Sequence, residues 1–595
     1  MEFNSKNSVA AEIGKVLIMI TSLSQIPEGE AFDIVVVGAG GAGMSAALFG
    51  AINGAKVLLV EKSEYVGGTT AFSAGTTWVP NSHHASSVGV HDDSLEKAAH
   101  YLDLAVGDRS NPALRRAFLE NGPLAVKCIE DHSRVRYRAR PFHPDYISDL
   151  EGSTLKGRAL EPLPFDGRQL GKRFALVRPP IPEFTVLGGM MVDRDDVNHL
   201  LGMTKSFKSL RHSIKLVLRQ GADRLRHARG TRLVMGNALV ASLLQSLDEK
   251  SVPVLTTCQM DSVEQGGDGI EAVVLSQAGV RRRLRVSGGV ILASGGFNRH
   301  PARRKAMLPG IDVQWCPGAS GHTGQAHDVA QSAGAGYGQR GLSHAFWAPV
   351  STRKRADGST AVFPHFILDR GKPGMITVNQ QGRRFLNEST SYHLFGIGMQ
   401  DAGVAPAYLV TDAKGLRQYG LGMVRPGGKG LKPFLDDGYL TEGATLAELA
   451  ARLKIDAHGL QDSVRRMNDY GKTGVDLDYK RGTTDYQRAN GDASNTPNPN
   501  LGALSTAPFY AVRLYPGDIG AATGFATDAH ARTLDSQGQV IPGLYAVGND
   551  MHSIMGGTYP GPGITLGPGL TFAYLAAGHA AQRAKAPVKA RALAT

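Results

Sequence analysis

The sequence predicts an α/β protein, and three observations predict it. A β-branched run, Phe32-Asp-Ile-Val-Val-Val37, leads straight into Gly38-Ala-Gly-Gly-Ala-Gly43 and then an Ala-rich stretch, Met44–Asn53. A second apolar run, Lys56–Val60, ends at the acid Glu61. Far downstream, Ile541–Ala586 returns to the order strand, glycine turn, helix. The first two make a complete β-α-β unit of about 30 residues. The expected architecture is a Rossmann-like domain, discontinuous in sequence, with an inserted α+β domain.

Each element has its own reason. Ile34–Val37 is continuously apolar rather than alternating, the mark of a parallel strand buried on both faces. Residues 100–130 read as helices, and the Pro- and Gly-rich Leu150–Leu187 as loop. A helix over Leu239–Leu247 precedes a strand, Val252–Cys258. Gly269–Ser276 and Arg283–Ser287 suggest a hairpin, followed by a buried strand in Gly288–Gly296 that runs into a glycine turn. Another helix falls within Val313–Gln339. From about 345 to 515 the composition shifts to mixed loops, helices and strands. The expected division is therefore an extension outside the fold at 1–30, a first cofactor-domain part at 31–344, and an inserted catalytic or cap domain at 345–515. A second cofactor-domain part at 516–586 and a tail at 587–595 follow.

Composition narrows the class. With 595 residues, 42% apolar and 20% charged, the chain is neither fibrous nor disordered. Glycine is in excess, 74 residues against roughly 7% in average proteins. Nine lie within Gly38–Gly75 and eight within Gly543–Gly569, with no collagen period. The net charge of +12 suits anionic partners. The basic runs Arg134–Arg140 and Arg281–Arg285 read as solvated faces, so no nucleic-acid partner is expected. Cys128, Cys258 and Cys316 are far apart, which points to a reducing, cytoplasmic compartment and to no metal site. Ile34–Ala55 and Met551–Gln582 lack Asp, Glu, Lys and Arg, but glycine and proline break both. Broken backbone is not tolerated in lipid, so no transmembrane segment is expected. Peripheral membrane contact stays open for so basic a chain.

The glycine fingerprint follows a strand, opens a helix and has an acid 18 positions after its last glycine. Gly38 allows the tight turn, Gly40 close approach to a pyrophosphate, and Gly43 close packing of helix on strand. The helix N-terminus offers free N–H groups and positive dipole to phosphates, and Glu61 is placed for a ribose. A second glycine turn at Gly67-Gly68, directly after the acid, and the late strand Ile541–Asp550 favour the longer cofactor FAD. Only one strong fingerprint is present, so no second nucleotide is expected.

These motifs, with four others, resemble the fumarate reductase/succinate dehydrogenase flavoproteins, and within them the 3-ketosteroid Δ1-dehydrogenases. The resemblance runs from about Phe32 to Ala586. It is carried by Val66–Gly75, Pro144-Asp-Tyr146, Leu163-Pro-Phe-Asp166, Val378–Tyr392 and Thr558-Tyr-Pro-Gly-Pro-Gly563. It implies a Rossmann-like FAD-binding domain with an inserted cap, and substrate bound between them. The cofactor set expected from fingerprint and resemblance comprises Gly38, Gly40, Gly43, Glu61 and Lys62, then Gly67, Gly68, Thr69, Thr70, Ser73, Ala74 and Gly75. It continues with Ala293, Gly295, Asn549, Asp550, Gly563, Thr565 and Leu566.

Tyr559-Pro-Gly-Pro-Gly563 also reads on its own terms. Prolines stiffen the loop and glycines admit a ligand to the backbone. The Tyr559 hydroxyl and the Gly563 N–H can both donate to one oxygen, an oxyanion site for a ketone becoming an enolate. A helix is expected from about Pro568. The resemblance makes Tyr392 the base that takes the C2 proton and Tyr146 its assistant, although Ile147 stands where the family has another aromatic. It implies hydride transfer from C1 to flavin N5 in a 3-ketosteroid. An unidentified acceptor, a quinone among the candidates, then takes the electrons. The alternatives are a Δ4-dehydrogenase, a fumarate reductase-like enzyme using Arg383 or Arg384, and a non-catalytic FAD-binding protein.

Overall fold

Two sheets organise the chain. A computed structural model describes residues 21–339, 341–366 and 369–586. The expected tail at 587–595 and most of the expected extension lie outside the described residues. The first sheet is built from β1 (Ala31–Val37), β2 (Val57–Val60), β3 (Val254–Leu255), β4 (Gln259–Gly266), β5 (Gly269–Gln277) and β6 (Val280–Leu292). The second holds β7 (Ala345–Lys354), β8 (Thr360–Pro364), β9 (Met375–Val378), β10 (Ala407–Asp412) and β11 (Phe509–Ala521). The late strands β12 (Arg532–Leu534) and β13 (Val540–Ala546) rejoin the first sheet.

The first sheet runs β3-β2-β1-β6-β5-β4, and β13 lies parallel to the end of β6, Val290 opposite Leu544. β1 pairs in parallel with β2 and β6, so its residues Ile34–Val36 are fully buried. That is the environment its unbroken hydrophobicity specifies. Helix α1 (Gly41–Ile52) follows β1 at once. Helices α2 (Pro112–His132), α3 (Arg194–Leu201), α4 (Phe207–Arg224) and α5 (Met235–Glu249) precede the second sheet. α6 (Tyr392–Asp401) lies within it in sequence, and α7 (Leu566–Lys585) packs back against α1 and α2.

The second sheet is wholly antiparallel, in the order β8-β7-β11-β10-β9. Ala345 pairs with Ala521, so the boundary expected at 515 falls inside one strand. Four further expectations change. The hairpin arm and the buried strand after it are one continuous β6, because Gly288 and Gly289 let α7 and β13 press directly on its backbone. The strand expected at Val252–Cys258 shrinks to Val254–Leu255. Leu150–Leu187 holds three short strands, Ala159–Pro162, Phe165–Asp166 and Thr185–Val186. Within the segment expected outside the fold, Leu23 and Ile26 are buried, and the Leu23 N–H donates to Gln277 Oε1 at 2.6 Å. Arg281 and Arg283 alternate outward along β6, and Arg283 pairs with Glu264 at 2.8 Å.

Candidate active site

The expected cofactor residues gather where β1, β6 and β13 end. Gly38 sits at φ +108°, and a side chain there would collide with the Ala293 carbonyl; one at Gly43 would collide with that of Gly38. A Cβ at Gly40 would meet only open space. Gly40 caps α1 without a side-chain bond, and Thr565 does the same for α7. Two helix N-termini thus keep N–H groups and positive dipole ends available to anionic groups. They are neighbours: a Cβ at Gly41 would approach both Thr70 and Leu566, and one at Gly548 would approach Ala42.

The turn at Gly67-Gly68 folds over this point, its Gly67 N–H donating to the Ala39 carbonyl at 2.7 Å. Thr70 Oγ1 accepts from the Gly41 N–H at 3.1 Å, and Thr69 Oγ1 from the Ala319 N–H at 2.9 Å. Ser73 Oγ donates to the Thr70 carbonyl and accepts from the Gly75 N–H. Glu61 Oε2 accepts from the Ala39 N–H at 2.9 Å, while Oε1 accepts from Ser63. Gly295, at φ +93°, packs on His322, whose burial holds its imidazole down at about 4.

Two expected residues are held by partners within the chain, Lys62 and Asp550. Lys62 Nζ binds Thr323 and Gln325 at the surface. Ala74 is exposed. The fully buried Asp550 accepts from Ser294, Gly296 and His327, so its carboxylate ties β6 to β13. A cavity beside Asn549 is lined by Phe346, His552, Ile564 and Thr565. His552 Nδ1 is buried there without a partner. The open helix ends, the glycine cradle and this orphaned nitrogen fit a dinucleotide cofactor reaching from α1 to α7.

Three tyrosines from distant segments meet beside Phe346, which lines that cavity and lies edge-on to Tyr559 at 5.2 Å. The Tyr146 hydroxyl donates to that of Tyr392 at 3.1 Å. The Tyr559 ring stacks on Tyr146, centroids 5.7 Å apart, and lies edge-on to Tyr392 at 5.1 Å. The Tyr146 N–H and the Tyr101 hydroxyl both bind the Pro560 carbonyl, at 2.8 and 2.6 Å. The 559–563 loop is held further by the Trp78 N–H, which donates to the Gly563 carbonyl at 3.1 Å. Gly563 sits at φ +92°, and any side chain would strike the Thr76 carbonyl. Its own N–H has no partner among the described residues.

Burial, with two neighbouring phenols, pushes the Tyr392 hydroxyl well above the usual tyrosine range. Burial does the same to Tyr146, against which Arg370 acts favourably. Arg370, Tyr486 and His393 belong to the site although no motif marks them. Tyr486 lies 4.9 Å from Tyr146, ring to ring. Arg370 donates to the carbonyls of Glu388 and Thr390, at 2.5 and 2.9 Å, and to those of His365 and Phe366. It therefore fixes the backbone leading into Tyr392. The buried Arg384 joins Glu388 at 2.7 Å and Asp476 at 2.8 Å, while Arg383 is exposed. His393 Nδ1 accepts from the Trp347 N–H and Nε2 donates to the Gly557 carbonyl at 2.9 Å. Position alone could have flagged His393, since it directly follows Tyr392. Arg370 and Tyr486 arrive only through tertiary folding.

Known proteins resemble this chain over most of its length. The FAD binding domain family matches residues 33–566. A 4-oxocyclohex-2-ene-1-carboxylate 5-dehydrogenase of Sinomonas cyclohexanicum is 35% identical over 95% of this chain and 96% of its own. A 3-oxosteroid 1-dehydrogenase of Mycobacterium tuberculosis is 36% identical over 93% of this chain and 99% of its own. The crystal structure of 3-ketosteroid Δ1-dehydrogenase from Sterolibacterium denitrificans, in complex with 1,4-androstadiene-3,17-dione, superposes with a TM-score of 0.86. It is 32% identical and covers 93% of this chain and all of that one.

Proposed function

Because the chain belongs to the FAD binding domain family, and within it to the FAD-dependent ring-ketone dehydrogenases, we propose that it introduces the 1,2-double bond into 3-ketosteroids. It is an oxidoreductase, and FAD is its cofactor. Gly38, Gly40, Gly43 and the Gly67–Thr70 turn would hold the pyrophosphate end, and the Asn549 turn with the α7 N-terminus the ring end. Bound FAD supplies the acceptor for the hydride that leaves C1.

The observation that carries the reading is that one stiff loop bears two donors beside the tyrosine cluster, the Tyr559 hydroxyl and the Gly563 N–H. The Tyr559 hydroxyl and the unpartnered Gly563 N–H polarise the C3 carbonyl and acidify the C2 hydrogen. Tyr392, as phenolate, takes that proton, assisted by the Tyr146 hydroxyl, whose hydrogen bond to the Tyr392 oxygen favours the ionised form. Segment 345–521 acts as the cap that brings Tyr392 over the cofactor domain.

The Sinomonas relative favours a second reading, a single-ring keto acid. The cation nearest the tyrosines argues for the steroid. The donors of Arg370 are taken by backbone carbonyls, and the rings around Tyr392 and Tyr559 include Phe346 and Phe366. The same engagement of Arg384 by Glu388 and Asp476 argues against a dicarboxylate clamp. The test is anaerobic bleaching of the yellow holoenzyme by androst-4-ene-3,17-dione. Bleaching by 4-oxocyclohex-2-ene-1-carboxylate alone would favour the second reading, and bleaching by neither would refute both. For the acceptor, a quinone is the proposal. Reoxidation of the bleached enzyme by menadione no faster than by oxygen would overturn it.

A further inference from the structure

Ten of the nineteen exposed large apolar side chains among the described residues fall between Leu187 and Leu225, and α4 carries half of those ten. α4 is inside out. Its buried face is mostly polar: Ser209, Ser213, Gln220 and Asp223, with Leu216. Those groups are fastened to the protein. Ser209 Oγ meets His199 Nδ1 at 3.1 Å, Gln220 reaches the Leu187 carbonyl, and Asp223 accepts from the Thr231 N–H and hydroxyl at 2.8 Å. The outward face repeats Phe207, Leu210, Ile214, Val217 and Leu218, one stripe at helical spacing. Phe207 is 80% exposed and Leu218 69%, and just beyond the helix end Leu225 is 86% exposed.

Charge flanks the stripe on one sign only. Lys208, Arg211 and Lys215 line one side, and Lys205, Arg224 and Arg226 stand at the ends. None of the six has an acidic partner among the described residues. The acids nearby are spent inside: Asp196 is held by His212 and Arg232, and Asp223 by Thr231. No helix among the described residues is long and apolar enough to cross a membrane. An outward apolar stripe beside unpaired Lys and Arg is the signature of a helix lying in a lipid interface, not through it.

We propose that α4 docks the protein on the surface of an anionic phospholipid bilayer. Phe207, Ile214 and Leu218 enter the acyl boundary, and Lys208, Arg211 and Lys215 meet the headgroups. The docked segment is tied to the cap: Glu183 pairs with Arg355 at 2.9 Å, and Phe184 stacks on Phe363 with centroids 4.8 Å apart. Three residues beyond Phe363, Phe366 lies against Tyr392. The docked segment is thus linked through β8 to the tyrosine site, although docking itself does not depend on which ketone is the substrate.

The test is sedimentation of the flavin-loaded full chain with vesicles of phosphatidylcholine, with or without phosphatidylglycerol. The wild type should pellet with the mixed vesicles and be released by salt. The K208E/R211E/K215E variant should partition roughly a hundredfold more weakly. The F207S/I214S/L218S variant should stay in the supernatant while keeping its flavin and its melting temperature. A wild type that ignores both vesicles would overturn the proposal. So would an apolar-face variant that pellets like wild type. A face that instead makes the protein dimeric, with no vesicle dependence, would reassign it to a contact between two copies. Because no steroid is present, none of these outcomes bears on the dehydrogenase reading.

Discussion

Tyr392 has a hydroxyl that burial keeps protonated, whereas the role of base proposed for it requires it ionised. Below a raised pKa the phenolate fraction grows about tenfold per pH unit, so kcat/KM should climb through neutral into alkaline pH. A profile flat from pH 7 upward would contradict Tyr392 as the base. Tyr392→Phe should lower the bleaching rate by about 10³-fold with flavin retained. Tyr559→Phe should cost about 10²-fold, mostly in kcat, measured by stopped-flow absorbance. His393 titrates differently. Burial holds it at about 4, below its unfolded value of 6.5, so the unfolded chain binds a proton that the fold refuses. Stability is therefore full above about pH 6.5 and falls as pH drops towards 4, by up to about 3 kcal/mol. His393→Asn should flatten part of that slope in thermal melts, leaving the share of His322 and His552. At this scale, Tyr392, Tyr559 and Gly563 are legible because their motifs are local. Tyr486 and Arg370 are not, because their roles exist only once residues far apart in sequence touch.

Among the elements, α1 and its turn were legible in full. A continuous apolar strand, a glycine turn and an Ala-rich helix state one geometry at three levels. The structure adds how little tolerance the turn has. Gly43→Ala would push a methyl into the Gly38 carbonyl, and the purified variant should be colourless or nearly so, read as the visible absorbance per protein. A variant that stays fully yellow would mean that α1 can lift from β1 at little cost. The length of β6 was not legible, because Gly288-Gly289 reads as a break. In the fold those glycines are where α7 and β13 come closest, a reason that lies in partners rather than in the strand itself. α4 shows the reverse case. Its outward and inward faces differ in composition, but the side that faces outward is set by the polar anchors beneath it.

On the scale of the whole molecule, the dinucleotide cradle is a meeting point of four separate segments, at 38–43, 67–75, 293–296 and 548–566. A ligand that bridges them stabilises the fold as one unit. Added FAD should stabilise the apoprotein by about 2.7 kcal/mol at a hundredfold excess over Kd, seen by calorimetry as a melting temperature that rises with FAD concentration. Melting that ignores FAD would mean the segments hold together without it. The return of the chain to its first sheet was visible in the sequence as a second glycine-rich strand and helix. The extent of the second sheet was not, because composition shifts over many residues whereas strand β11 runs on to Ala521.

The late arrival of β13 sets a clock on synthesis. Val290–Leu292 of β6 pair with Leu544–Ala546, roughly 250 residues later. At 5–20 residues per second, a ribosome leaves that strand edge open for roughly 12 to 50 seconds. An unpaired hydrophobic edge is a template for the wrong neighbour. During that interval the nascent chain has its fingerprint glycines but not the helix that completes their site, which is whole only after α7 has left the tunnel.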